Sequence, residues 1–103
     1  MANYLSNAFS LSMLPLNGSI TIKVEEISPQ QVPTDTISVV GHQDIAQILS
    51  NILKREVSYN RVTTKLKPTD VVYVAQYMGP RLPEGTKELP PGAEIQFLKV
   101  TIV

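Results

Sequence analysis

The stretch "VVGHQDIAQILSNIL", Val39–Leu53, decides the fold, because the hydrophobic period changes inside it. Its first residues continue the apolar, strand-like run "ISVV" that begins at Ile37. From Gln43 onward, Ile45, Ile48, Leu49, Ile52 and Leu53 fall at i, i+3, i+4, i+7 and i+8, which is one stripe of an amphipathic helix. The spacing predicts a helix over 43–54, with Asp44 in its first turn and Lys54 and Arg55 closing it. Both signs of charge suit the helix dipole. Gly41 is read as the residue that lets the backbone turn sharply into the helix. Beside it stands His42, the only histidine in the chain.

A lone imidazole at a strand–helix junction has two readings. It caps the helix, or it donates a proton to a ligand. The positive end of the dipole disfavours the charged ring, whereas a bound phosphate or a carboxylate such as Glu84 favours it. The first turn also offers free backbone N–H groups, a ready phosphate site. Helix geometry alone leaves both readings open.

Outward from this junction the chain reads mainly as strands. Ala2–Leu5 forms a short first strand. In "SITIKVEEI", Ser19–Ile27, the alternation of Ile20, Ile22 and Val24 predicts a half-buried strand, entered through the turn Leu16-Asn17-Gly18-Ser19. "RVTTKL" (61–66) and "DVVYVAQYM" (70–78) read as two strands joined through Lys67-Pro68-Thr69-Asp70, and "AEIQFLKVTIV" (93–103) as a long last strand. Glu25 and Glu26, adjacent in a strand, point to opposite faces and read as solvated edge charges. The expected architecture is a mixed α/β single domain, 1–103, with a central sheet of about five strands and one main helix.

Between the last two strands lies "GPRLPEGTKELPPG", Gly79–Gly92, with half of the eight prolines and three of the five glycines. Unstructured loops beyond about 12 residues are uncommon in small domains and often act as lids or binding loops. Arg81 and Glu84, separated by stiff prolines, favour a lid over a plain connection.

Composition narrows the chemistry. The 103 residues suffice for one domain, and 43% hydrophobic with 17% charged residues marks a globular chain. No apolar run approaches the roughly 20 residues of a membrane helix. The first residues, Met1–Leu5, lack a basic stretch followed by an apolar core, so no secretory signal is expected. Absence of cysteine excludes disulfides, thiolate metal sites and a cysteine nucleophile, and it fits a cytoplasmic protein. Nine basic residues balance nine acidic ones, which disfavours extended nucleic acid but leaves room for a small ligand with a few phosphates. There is no second histidine for a paired acid–base or metal site, and no nucleophile elbow, P-loop or dinucleotide fingerprint. No metal and no cofactor are expected. Arg61 and Arg81 carry guanidinium forks suited to phosphate oxygens, although each also reads as an ordinary surface arginine.

Three stretches taken together, "YLSNAFSLSML" (4–14), "GHQDIAQILSNIL" (41–53) followed by "NRVTTKL" (60–66), and "PRLPEG" (80–85), resemble the viral ring nucleases, small anti-CRISPR proteins acting against type III systems. The likeness covers most of residues 3–85. It implies a symmetric homodimer that binds cyclic tetra-adenylate across its interface and cuts it into linear di-adenylates, without a metal, in the host cytoplasm. It also implies His42 as general acid, Arg81 and Glu84 as its catalytic companions in the lid, and Asn7, Ser10, Arg61 and Gln76 as substrate contacts, with Gly41 completing the "GH" pair. Two features depart from the family. The spacing from Gln76 to Arg81 is one residue longer, around Gly79-Pro80, and "TKELPPGA" is too short and proline-rich for the helix that follows the lid in relatives. A non-catalytic sponge or sensor for the same ligand, or a small viral regulator working through protein contacts, are the alternative readings.

Overall fold

The structure, a computed structural model, describes residues 2–103; Met1, the first residue of the expected domain, lies outside them. Its strands are β1 (Asn3–Ser6), β2 (Ile22–Ile27), β3 (Ile37–Ser38), β4 (Val71–Met78) and β5 (Glu94–Ile102), with one helix, α1 (Gln43–Leu53). They form one mixed sheet in the order β2-β5-β4-β1-β3. Strand β1 runs parallel to both β3 and β4, while β5 is antiparallel to β4 and β2. The five-stranded mixed sheet with a single main helix is the architecture expected from the sequence.

Strand β4, "VVYVAQYM", is apolar almost throughout because it lies at the centre of the sheet with both faces covered. Tyr73 and Ala75 face α1, packing with Leu5, Phe97, Ile45, Ala46 and Leu49. Val72 and Val74 face the other way, onto Met13, Leu66 and Val100. The helical stripe read from the sequence is the stripe that is buried: Ile45, Ala46, Ile48 and Leu49 are inside, and Ile52 and Leu53 pack at the margin. Full burial of a side chain such as Leu49, 0% exposed, contributes about 2–3 kcal/mol of transfer free energy. The helix stops at Lys54, which adopts a left-handed conformation (φ 55) and donates its N–H to Ser50 O.

The opposite sheet face has thinner cover. A 3₁₀ turn at Leu11–Met13 and the segment 61–67 lie over it, and Val24 and Ile37 remain half exposed.

Four local expectations are corrected. Residues 61–66, "RVTTKL", form no strand. Only Leu66 is buried, and the segment is held by Leu66 N–H donating to Met13 O (2.8 Å) and Lys65 Nζ donating to Ser12 O (2.9 Å) rather than by a strand ladder. Of "ISVV" only Ile37–Ser38 pairs as strand, and the strand expected from Ser19 begins at Ile22. The sharp turn into the helix expected at Gly41 does not use glycine's conformational freedom, since Gly41 is absent from the positive-φ glycines among the described residues. Its role is close approach: a methyl group added there would lie 3.3 Å from Arg61 Cγ.

The turn at 67–70 is as read. Buried Asp70 accepts from Lys67 N (2.9 Å) and from Ala2 N (3.0 Å), so one carboxylate fastens the starts of β1 and β4 side by side. The segment Gly79–Gly92 is a loop with defined internal structure. Turns close at Pro83–Thr86 and Pro90–Ala93, with Gly85 (φ 83) and Gly92 (φ 81) at the third position that a type II turn reserves for glycine.

Candidate functional site

A cleft of about 780 Å³ opens where the C-terminal ends of β1 and β4 meet the N-terminus of α1. Asn7, His42, Asp44, Tyr77, Arg81 and Glu84 contribute its polar lining. Four separate segments supply these groups, and each is placed for a local reason.

Asn7 follows β1, which ends when Ser6 turns back to bond Ala8 O (2.7 Å). Its Oδ1 accepts Gly41 N–H (3.0 Å), so the amide NH₂ remains as a donor for the cleft. This bond also fixes where Gly41 hands the chain to His42.

His42 is the N-cap of α1, and its Nδ1 accepts the N–H of Ile45 (3.2 Å). The neutral tautomer consistent with that bond carries its proton on Nε2, the nitrogen left for a ligand. Both readings of the lone histidine thus meet in one side chain. It caps the helix, and it is exposed on the cleft wall. The N–H groups of Gln43 and Asp44 precede the first intrahelical bond, Ala46 N–H to His42 O (3.0 Å), and add to the positive end of the dipole.

The lid brings Arg81 and Glu84 across from the end of β4. Tyr77 hydroxyl donates to Pro80 O, Leu82 packs on the core beneath α1, and Gly85 N–H donates to Asp44 Oδ2 (3.2 Å). A second tie, Asn51 Nδ2 to Lys87 O (2.8 Å), lies further along the helix. Gly79 (φ 154) lets this loop leave β4, because a Cβ there would sit 2.7 Å from Ala93 Cβ. Arg81 and Glu84 are exposed and make no hydrogen bond to one another or to His42 among the described residues. Among the described residues no three His, Asp or Glu side chains gather as a metal-ligand set.

The remaining expected site residues lie outside this cleft. Ser10 caps the 3₁₀ turn through Ser12 N (3.3 Å) and lines a separate hollow of about 220 Å³ with Ser6, Ser12, Thr63 and Thr64. Arg61 runs over Gly41 near the cleft's rim and is exposed. Gln76 sits on the opposite sheet face, exposed and paired in register with Gln96. Asp44 and Tyr77 are cleft residues to which the sequence reading assigned no ligand role. Their signals were present: Asp44 stands two residues after His42, and Tyr77 continues the Tyr73–Ala75 face of β4.

The chain belongs to the STIV B116-like family, whose sequence profile matches residues 3–97. A search of curated proteins finds no match. Among solved structures it is similar to B116 of the Sulfolobus turreted icosahedral virus, with a TM-score of 0.75 over 98% of this chain and 99% of that one, at 20% identity. At that identity the likeness is one of fold.

Proposed function

We propose that the cleft binds cyclic tetra-adenylate and cleaves it to di-adenylates ending in 2′,3′-cyclic phosphate, so that the protein is a viral, metal-independent ring nuclease silencing type III CRISPR signalling from the host cytoplasm. The observation that carries this reading is the convergence of Asn7, His42, Arg81 and Glu84, from three separated segments, on the N-terminus of α1.

RNA carries its own nucleophile. The ribose 2′-OH attacks the adjacent phosphorus when held in line with the departing 5′-oxygen; the O2′–P bond forms as P–O5′ breaks, the hydroxyl proton passes to water, and the departing oxygen needs a proton. Orientation, charge neutralisation and one acid therefore suffice. Asn7 NH₂ is a free donor for the ribose or phosphate, and Arg81 neutralises the phosphate as charge develops. His42 supplies the proton. An imidazolium carries hydrogen on both nitrogens, so the ring must give up the Ile45 N–H before it is charged. A phosphate at the helix N-terminus provides for this exchange, because its oxygens accept the released N–H groups. Glu84 lines the same cleft and is the carboxylate proposed to orient the ring once the ligand is bound.

The lining of one protomer holds Arg81 against Asp44 and Glu84, too little positive charge for a ring of four phosphates. A two-fold dimer pools two copies of Arg81 and Arg61 and places two His42 rings at opposite linkages, so two cuts give equal halves. A second reading, capture without cleavage, is favoured by the engagement of His42 Nδ1 as a cap. Incubation with cyclic tetra-adenylate in EDTA separates the two. Di-adenylate with a cyclic phosphate end is the expected product, and intact ring bound at stoichiometric protein would leave only the sponge.

A further inference from the structure

A second trough, of about 470 Å³, crosses the outer face of α1 between the segment 56–59 and the lid. It shares Asp44 and Glu84 with the cleft, so the two hollows adjoin across these side chains. Tyr59, 51% exposed, lines it. The backbone beneath that ring is firmly held. Tyr59 bridges Val40, Asn60 N–H donates to Val40 O (2.8 Å), Ser38 Oγ donates to Ser58 O (2.6 Å), and Asn60 Nδ2 donates to Ser38 O (2.9 Å). An aromatic residue on a rigid mount, open to solvent beside a phosphate-type site, is a stacking platform.

Charge separates the two hollows. Asp44 and Glu84 border both; of the charged groups found on one side only, the trough has Glu56 offset by Lys87, whereas the cleft has Arg81 and the helix N-terminus, which attract phosphate. A ligand spanning both puts its phosphate in the cleft and a neutral part in the trough. Gln43 and Gln47, one helical turn apart (about 5.4 Å), line the trough, and Gln47 Oε1 has no partner among the described residues. Carboxylates and an amide oxygen accept hydrogen bonds from an exocyclic amino group. They oppose a keto oxygen, which sets acceptor against acceptor.

We propose that this trough is the base subsite of the cleft, where an amino-bearing nucleobase such as adenine stacks on Tyr59 and donates its amino hydrogens to Glu56 or Gln47. The proposal rests on the cleft's binding of a nucleotide phosphate and adds the residues that choose the base.

The test is an NMR titration of the labelled chain with AMP, IMP (a keto group in place of the amino group) and ribose 5-phosphate (no base). AMP is expected to shift Tyr59 and Gln47 and to bind about fivefold or more tighter than IMP. Ribose 5-phosphate is expected to shift only cleft residues such as Asn7 and His42. Tyr59→Leu should weaken AMP about tenfold while leaving ribose 5-phosphate unchanged, and Glu56→Gln should shrink the AMP–IMP difference. Equal binding of AMP and IMP, unaltered AMP affinity in Tyr59→Leu, or binding of none of the three overturns the subsite. None of these readouts needs cleavage. If AMP preference is present but cyclic tetra-adenylate stays intact, nucleolysis fails and the subsite stands. If the ring is cut with an unchanged KM in Tyr59→Leu, the subsite alone falls.

Discussion

Gly85 N–H donates to Asp44 Oδ2 across the rim of the cleft, at 3.2 Å, and ties the lid to the first turn of α1. The bond gives one carboxylate two tasks, since an acid in that turn also complements the helix dipole. Asp44→Ala is expected to cost about 1 kcal/mol in urea unfolding and to speed amide exchange at Gly85. Unchanged exchange at Gly85 would show that the lid is held elsewhere, with Asn51–Lys87 the remaining tie.

His42 joins a structural task to a chemical one, and two substitutions separate them. His42→Ala removes the cap, at about 1 kcal/mol, and is expected to lower single-turnover cleavage about a hundredfold or more. His42→Asn restores a capping acceptor and should recover stability without recovering cleavage. Full cleavage by the asparagine variant would mean that the imidazole is only a cap.

Asn7 similarly faces two ways. Asn7→Asp keeps an acceptor for Gly41 N–H, so the fold is expected to hold, but it replaces a donor with a charge that repels phosphate. Ligand affinity should fall at least about tenfold with little change in thermal midpoint. Asn7→Ala leaves Gly41 N–H unpaired and should lose about 1–2 kcal/mol of stability as well. Equal affinity in the aspartate variant would move the ligand away from this amide.

Gly79 meets Ala93 too closely for any side chain, with 2.7 Å from a built Cβ to Ala93 Cβ, and its φ of 154 suits glycine alone. Gly79→Ala is expected to destabilise by roughly 2–3 kcal/mol, combining overpacking with backbone strain. Ala93→Gly in the same chain should return only a minor part, because Ala93 Cα also lies 2.8 Å from the built Cβ. Complete rescue would show that neither this backbone contact nor the backbone angle is costly.

Lys54 ends α1 in a left-handed conformation that glycine adopts more easily. Lys54→Gly is expected to raise stability by about 1 kcal/mol, read as a higher urea midpoint at unchanged slope. A lower midpoint would mean that the lysine side chain contributes more than its strain costs.

The α1 stripe, the apolar centre of β4 and the Lys67–Asp70 turn were legible in the amino-acid order, because each depends on spacing within a single segment. A period of 3.6 or 2 states which face is buried before any partner is known. Arg81 and Glu84 could be singled out for the same kind of reason: charged groups between prolines in a long loop carry little packing duty. Whether "RVTTKL" becomes a strand depends instead on the partners its backbone meets in the folded chain, which no local pattern encodes.

The sequence by itself determined the five-stranded mixed architecture with one helix and the residue types able to meet a phosphate. Tertiary structure alone decided that Asn7 holds Gly41, that the lid lies on Asp44, and that Ser10 and Gln76 fall outside the cleft that contains His42. The physical reason is strand parity. One residue along β4 reverses the face, so Tyr77 reaches the cleft and Gln76 does not, and that choice belongs to the packing of α1 on the sheet.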